Sequence, residues 1–341
     1  MQLSLRSRQH GLTLIELLIS STLGILLVLS LATLFVQSNR SYKQNDAITA
    51  MQDQARFSLQ TLSRDLMSAG YWGGLSSPDN ISINASVDGL LPANDCGADA
   101  ATAWAKLTDA RLEFMDNPDA ATAHGSYRCI VQNTFVGGTD VVAIRRVSAQ
   151  AADDLSAVET TATLAAYGFY LQTNGVTGTL FRMAGTTSYT PAAPDLPLAP
   201  PMRFHKYVPR IYYIRNWTFS AGDGVPALCR QVLNHGSTAS IGNECLGIGV
   251  QDMQLTWGLD TDGDDKQLVD RYLTNPSTAQ IDDAKTLRIE ILVRSRAADP
   301  PYLNEKSYTL GGTTVSFEAA DEDHFRRRRY STTIQLRNQY L

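Results

Sequence analysis

The sequence predicts an α+β fold: a long N-terminal α-helix, transmembrane in its first half and amphipathic in its second, packed on a large antiparallel β-sheet domain. Three observations predict it. The chain opens on an apolar run. An amphipathic stripe without Pro or Gly carries the helix on to Gly70. Period-two alternation of apolar residues then dominates after about Thr139.

The first element is the apolar run. Residues 1–11, MQLSLRSRQHG, carry Arg6, Arg8 and His10 and no acid. Leu12 to Val36 follows, and Glu16 is its only charge. As a helix this run is about 37 Å long, enough to cross a hydrocarbon core of about 30 Å. The basic flank comes first, so the N-terminus stays cytoplasmic and the rest is exported. An ordinary secretory signal has a shorter apolar core and small residues after it, whereas this run ends on Leu34-Phe35-Val36. A plain signal anchor leaves Glu16 unexplained, because a carboxylate in a spanning segment is costly and usually functional.

The helix continues past the membrane surface. Ile48, Met51, Ala55, Leu59, Leu62 and Leu66 recur every three or four residues and form one apolar face over residues 37–69. Gly70 supplies the left-handed C-terminal stop. The predicted helix runs from about Leu12 to Met67, roughly 84 Å. Residues 70–341 then form the exported globular domain. Gly73-Gly74 and Ser76-Ser77-Pro78 read as loop, and residues to about Asp119 show weak periodicity. Strands are expected at Thr139 to Val147, Tyr167 to Leu171, Gly178 to Met183 and Arg210 to Trp217. Alternation marks further strands at Met253 to Leu259, Leu287 to Val293 and Tyr330 to Leu336. Pro191 to Pro201 reads as a surface loop, and the basic run Arg326 to Arg329 as a solvated edge or loop.

Gly11-Leu12-Thr13-Leu14-Ile15-Glu16 resembles the type IV prepilin cleavage motif. The resemblance implies a membrane peptidase that cuts between Gly11 and Leu12 and methylates the new amine of Leu12. Leu12 departs from the Phe or Met common at that place. After cleavage Glu16 lies one helical turn from a free amine. Pairing the two, within a subunit or between neighbours, removes the cost of two isolated charges in lipid. Glu16 is therefore expected to serve assembly. Pro226-Ala227-Leu228-Cys229-Arg230, Gly249 to Leu259, Asp260-Thr261-Asp262-Gly263-Asp264 and Leu287 to Arg296 resemble the PilW type of minor pilin. They are similar, more distantly, to the J-type pseudopilin of type II secretion. The resemblance implies partners: other minor pilins, the pilus shaft, the prepilin peptidase and a tip adhesin. It also implies a single-pass inner-membrane protein that later sits at the pilus tip.

Four cysteines, Cys96, Cys129, Cys229 and Cys245, lie in the exported part and form no C-x-x-C pair. An even count there suggests two disulfides. Of the three possible connectivities, the expected one joins sequence neighbours: Cys96 with Cys129 and Cys229 with Cys245. Asp260, Asp262 and Asp264 alternate around Gly263, like the start of a calcium loop. Position twelve of such a loop is Arg271, and the other reading is an acidic β-hairpin turn. No other cofactor is implied. The net charge of -5 argues against nucleic acid as a partner. His10, His124, His205, His235 and His324 are scattered, and no hydrolase, zinc or phosphate-loop signature occurs. The expected function is non-enzymatic: a minor pilin in a priming or tip complex. The alternatives are a secretion pseudopilin and a signal-anchored periplasmic binding or hydrolytic domain.

Overall fold

A computed structural model describes residues 13–88, 96–97, 104–106, 108–155, 161–191, 201–262, 268–317 and 323–338. The cleavage junction at Gly11 and Leu12, and Asp264, lie outside the described residues. The chain divides into two compact units, Met1–Ala50 and Met51–Leu341. The division falls inside the segment 37–69 that the apolar stripe marks as one piece.

The helix α1 spans Leu14–Met67. In the first unit its large apolar side chains from Leu14 to Val36 are exposed. Four of the hydroxyls in that run, on Ser21, Thr22, Ser30 and Thr33, return to their own backbone. Ser21 Oγ donates to Leu18 O, Ser30 Oγ to Leu27 O and Thr33 Oγ1 to Ser30 O, at 3.0, 2.8 and 2.8 Å. A helix that satisfies its polar groups internally leaves nothing for lipid to solvate.

In the second unit the end of α1 has one buried face: Met51, Ala55, Ser58, Leu62, Asp65 and Leu66. Leu59, assigned to that face by spacing, is half-buried, and the polar Ser58 and Asp65 share the face instead. The helix stops at Gly70, where φ is +74°. The Gly70 N–H donates to Arg145 O at 2.9 Å. A Cβ here would lie 3.0 Å from the Arg111 side chain, so glycine serves both the turn and the close packing.

Among the described residues three larger sheets and two two-stranded ones, Ser307–Leu310 with Thr313–Ser316 and Ala162–Thr163 with Ser188–Tyr189, form most of the rest. The first orders its strands Ile81–Ile83, Gly178–Arg182, Phe169–Thr173, Met202–Lys206 and Asp153–Leu155. The second runs Ser240–Ile248, Ala227–Asn234, Arg210–Arg215, Val141–Ile144 and Leu112–Met115. The third runs Arg271–Leu273, Val250–Leu259, Thr286–Arg294 and Arg327–Gln335. Pairings within them are antiparallel except one, Ile81–Ile83 beside Gly178–Leu180, which is parallel. Gly249, with φ +81°, turns the chain from the second sheet into the third. A Cβ there would lie 2.6 Å from Arg294 O.

Alternation decides what each face of the second sheet covers. Val141, Ala143, Ile211, Tyr213 and Cys229 turn to a core with Trp104, Ala123, Tyr127, Ile130 and Phe135. On the opposite face, Arg210 and Tyr212 reach the end of α1. The first sheet has cores on both faces, one around Phe169, Leu171 and Tyr207 and one around Tyr170, Phe181 and Phe204.

The basic run begins an edge strand, with Arg328 and Arg329 exposed as charge suggests, but its first two members are engaged by the fold. Arg327 is buried, pairs with Asp323 at 2.7 Å and lies over the Phe317 ring at 3.6 Å. Arg326 pairs with Asp299 at 2.7 Å and lies over Tyr302 at 4.3 Å.

Candidate functional site

At the N-terminus of α1, Thr13 and Glu16 form a reciprocal pair. Glu16 Oε2 accepts from Thr13 N and from Thr13 Oγ1, each at 2.9 Å. Thr13 Oγ1 accepts from Glu16 N at 3.3 Å. This is a capping box, T-x-x-E, which ties down donors that the first helical turn leaves open. The motif was legible in Thr13-Leu14-Ile15-Glu16, but reading Glu16 as a membrane carboxylate passed over it. The other oxygen, Oε1, takes no hydrogen bond among the described residues. Glu16 thus has a local role at the helix start.

The second constellation was not foreseen. Asp65, buried at the end of α1, is surrounded by cations from three strands or their ends. Arg146 donates to Asp65 Oδ1 at 2.8 Å. Arg210 and the Tyr212 hydroxyl both donate to Oδ2, and Arg230 stands 3.8 Å from it. Burial alone would raise the Asp65 pKa. Arg210 and Arg146, with hydrogen bonds from Tyr212 and Arg210, outweigh burial and hold it below the ordinary aspartate value. Beside it, Gln54 Oε1 accepts from the Ile248 amide at 3.0 Å. Ser58 packs on Gly247, where a Cβ would come within 2.1 Å of the Ser58 hydroxyl. Gln54, Ser58 and Asp65 share the spacing of the apolar stripe, which was the available signal. The arrangement clamps a helix onto a sheet; it brings no nucleophile and base together.

The disulfides are Cys96–Cys129 and Cys229–Cys245. The second is cross-strand, between residues directly opposite in Ala227–Asn234 and Ser240–Ile248. The first closes on the core beside Trp104 and Ile130.

The acidic run begins a hairpin loop between Val250–Leu259 and Arg271–Leu273. Asp270 closes it, accepting from Thr261 N at 3.1 Å and Thr261 Oγ1 at 2.7 Å. Asp260 Oδ1 is buried without a hydrogen bond among the described residues. No group of three or more His, Cys, Asp or Glu among the described residues is placed to hold a metal ion. Among the described residues the histidines stand apart from one another in the sequence and three are held by backbone. His124, His205 and His324 each bind a backbone carbonyl through Nδ1, at 2.8, 2.8 and 2.7 Å. His235 is pushed down to about 4 by burial and by Lys206 and Arg182.

Residues 211–338 match the family model described as Type IV Pilus-assembly protein W. Residues 6–32 match the prokaryotic N-terminal methylation motif. The first covers the second sheet's hairpin Ala227–Asn234 with Ser240–Ile248, nearly all of Arg210–Arg215 and the whole third sheet; the second covers Gly11, Leu12 and Glu16. No curated protein and no solved structure matches the chain. Two segments of the chain are thus similar to known families, one to a type IV pilus-assembly domain and one to a prepilin-type N-terminus.

Proposed function

We propose that this chain is a minor pilin, made as a prepilin, that joins other minor pilins in a priming or tip complex of a type IV pilus and has no catalytic role. The observation that carries this reading is the pairing of the two family matches at opposite ends of one chain. The helix α1 begins inside the N-terminal match, and from Leu14 to Val36 it exposes its large apolar side chains with one carboxylate, Glu16. A surface of that kind suits lipid before assembly and a fibre core afterwards. The bulk of residues 70–341 favours a low-copy or tip position over a shaft subunit, whose lateral neighbours must fit close together.

Processing is expected between Gly11 and Leu12, with methylation of the Leu12 amine. Glu16 keeps Oε1 for that amine, in its own subunit or a neighbour. Glu16→Ala leaves the Leu12 ammonium without its partner in lipid, which lowers association between subunits. The variant should stay in the inner membrane and fail to join its partners. Normal fibre number and normal co-purification of other minor pilins with Glu16→Ala would overturn the assembly role. An intact Met1 terminus in assembled fibres would overturn the processing. A secretion pseudopilin would be processed alike and is separated by which fibre proteins co-purify. Calcium at Asp260, Asp262 and Asp264 stands as a smaller proposal: millimolar calcium should raise the melting temperature, and no shift leaves an acidic hairpin.

A further inference from the structure

The β-domain has two ends along α1, and they are built differently. At one end Asp65 gathers its arginines. At the other, the Ile248 amide donates to Gln54 Oε1, three residues after Met51, the first buried residue of α1. Two loops leave the sheets there. Gly249 N donates to Pro226 O and Arg294 N to Gly249 O, both at 2.8 Å, so the loops 216–226 and 295–303 start side by side. Both are fixed by their own acids. In the first, the Asp223 carboxylate accepts from the amides of Phe219 at 2.8 Å and Val225 at 2.9 Å, and from those of Thr218 and Ser220. In the second, Asp299 pairs with Arg326 at 2.7 Å, and its amide donates to His324 O at 2.9 Å. Arg294 ties the two together by donating to Gly224 O.

Outward, the loops show an apolar surface: Phe219, 60% exposed, with Ala297, Pro300, Pro301 and Leu303. Arg296, also exposed, lies over the Phe219 ring at 4.8 Å. Asp223 and Asp299 are the only acids in these loops, and both are occupied. Arg296 takes no hydrogen bond or ion pair among the described residues. The face is therefore apolar, with one cation that no acid answers.

The occupant follows from charge and tether. Met51 comes fifteen residues after Val36, the end of the apolar run. As helix those residues span about 22 Å. Whatever angle they take, chain length tethers the Gln54 end of the β-domain nearer the bilayer than the Asp65 end. A tethered contact is intramolecular, so one cation and a few apolar side chains suffice. A bilayer surface supplies phosphates for a cation and an interfacial layer for Phe and Leu. We propose that in the membrane-held chain the loops 216–226 and 295–303 rest on the anionic lipid surface, with Arg296 on headgroup phosphates and Phe219 in the interfacial layer. The inference rests on α1 spanning the membrane, and not on the pilus role.

The full chain reconstituted in vesicles tests it, with a dye on Ser220→Cys and a nitroxide quencher on the lipid headgroups. The native cysteines are bridged, so only the new thiol takes the dye. Val176→Cys is the control: it is exposed in a turn beside Thr173, which packs on Gly73 past the Asp65 end. In phosphatidylcholine with about one-third phosphatidylglycerol, the Ser220 position should be quenched and the Val176 position should not. Arg296→Gln removes one charge and should lower contact at Ser220 by about fivefold. High salt should weaken the same contact with Arg296 in place. Equal quenching at the two positions, or none at either, overturns the inference. Quenching indifferent to salt, to Arg296→Gln and to anionic lipid reports the tether alone and also overturns it. A Ser220 position shielded only when other pilus proteins are added assigns the face to a protein and overturns the lipid. A chain that alkaline washing strips from the vesicles overturns the spanning reading, and this inference with it.

Discussion

The two stretches of α1 solve opposite problems with the same backbone. From Leu14 to Val36 the helix is apolar all round, exposes its side chains and returns four of its hydroxyls to its own carbonyls. From Met51 to Met67 only one face is buried, and that face includes Ser58 and Asp65 among the apolar residues. The difference teaches where specificity comes from. An all-round apolar helix can be solvated by any hydrocarbon or by any similar helix. The second stretch must meet one sheet in one register, and polar groups at Gln54, Ser58 and Asp65 set that register. The carboxylates differ in kind as well. Glu16 is exposed and binds its own helix end, whereas Asp65 is buried and binds three other segments.

The largest expected effect breaks the second stretch. Asp65→Ala leaves Arg146 and Arg210 facing each other without their acid. Removing one member of such a cluster costs about 3–5 kcal/mol. All four tryptophans lie at or after Trp72, so their fluorescence reports on the β-domain and not on the spanning segment. Urea unfolding of the full chain in detergent, followed by that signal, should show the loss. An unchanged midpoint would mean that the cluster does not hold the helix. Next in size is a matched pair of leucines. Leu62 is fully buried and Leu26 is 62% exposed. Leu62→Ala should cost about 2–5 kcal/mol by the same signal. Leu26→Ala should move it by less than about 0.5 kcal/mol. Equal effects would erase the distinction between the stretches.

Much of this was legible in residue order, for physical reasons. The helix was read from an apolar run followed, from Gln37, by a stretch without Gly or Pro, and the structure places it at Leu14–Met67, with the left-handed glycine at Gly70. Strands with strong alternation, such as Met253 to Leu259, appear within Val250–Leu259. The hairpin Ala227–Asn234 with Ser240–Ile248 was not read as strands, because its polar residues Arg230, Gln231, Asn243 and Glu244 break the alternation. They are satisfied by partners that only the fold brings near, as with Arg230 and Glu244 or Asn243 and Tyr213. Met202–Lys206 was hidden behind the Pro-rich segment. Asp65 escaped for the same reason: a buried charge is recognisable only with its partners, and these lie about eighty residues or more along the chain.

The disulfides come next and extend the comparison to what each part needs for stability. The spanning stretch has no cysteine, whereas the β-domain has two bridges. Replacing either pair with serine should cost about 2–5 kcal/mol. Chain entropy makes the loss larger for Cys96–Cys129, which closes 33 residues, than for Cys229–Cys245, which closes 16. The logarithmic dependence sets that difference at about 0.6 kcal/mol. A larger loss from the shorter loop would show that native packing, and not the unfolded chain, sets the cost.

The smallest effect sharpens the contrast between buried acids, and it is read in pH. Asp65 has a lowered pKa, so its stabilisation is fully present above the ordinary aspartate value of 3.8 and is lost as pH falls through the lower folded value. Asp140 is the opposite case. It is completely buried and accepts from Asn117 N at 3.0 Å and Leu255 N at 2.7 Å. Burial raises it well above the ordinary value despite those bonds, and Asp116 and Asp252 add to the rise. Its charged form therefore weighs against folding at neutral pH, and stability rises as pH falls through its raised value. The β-domain should then pass through a stability maximum on mild acidification before losing stability below 3.8. A tenfold change in proton affinity is worth about 1.4 kcal/mol, which sets the scale. Urea midpoints measured stepwise from neutral pH downward test it. Asp140→Asn should remove the rise, because no proton is then taken up there. Asp65→Asn should keep the rise and blunt the fall. A rise that persists in Asp140→Asn would assign it to another carboxylate and leave Asp140 paired and charged in the folded chain.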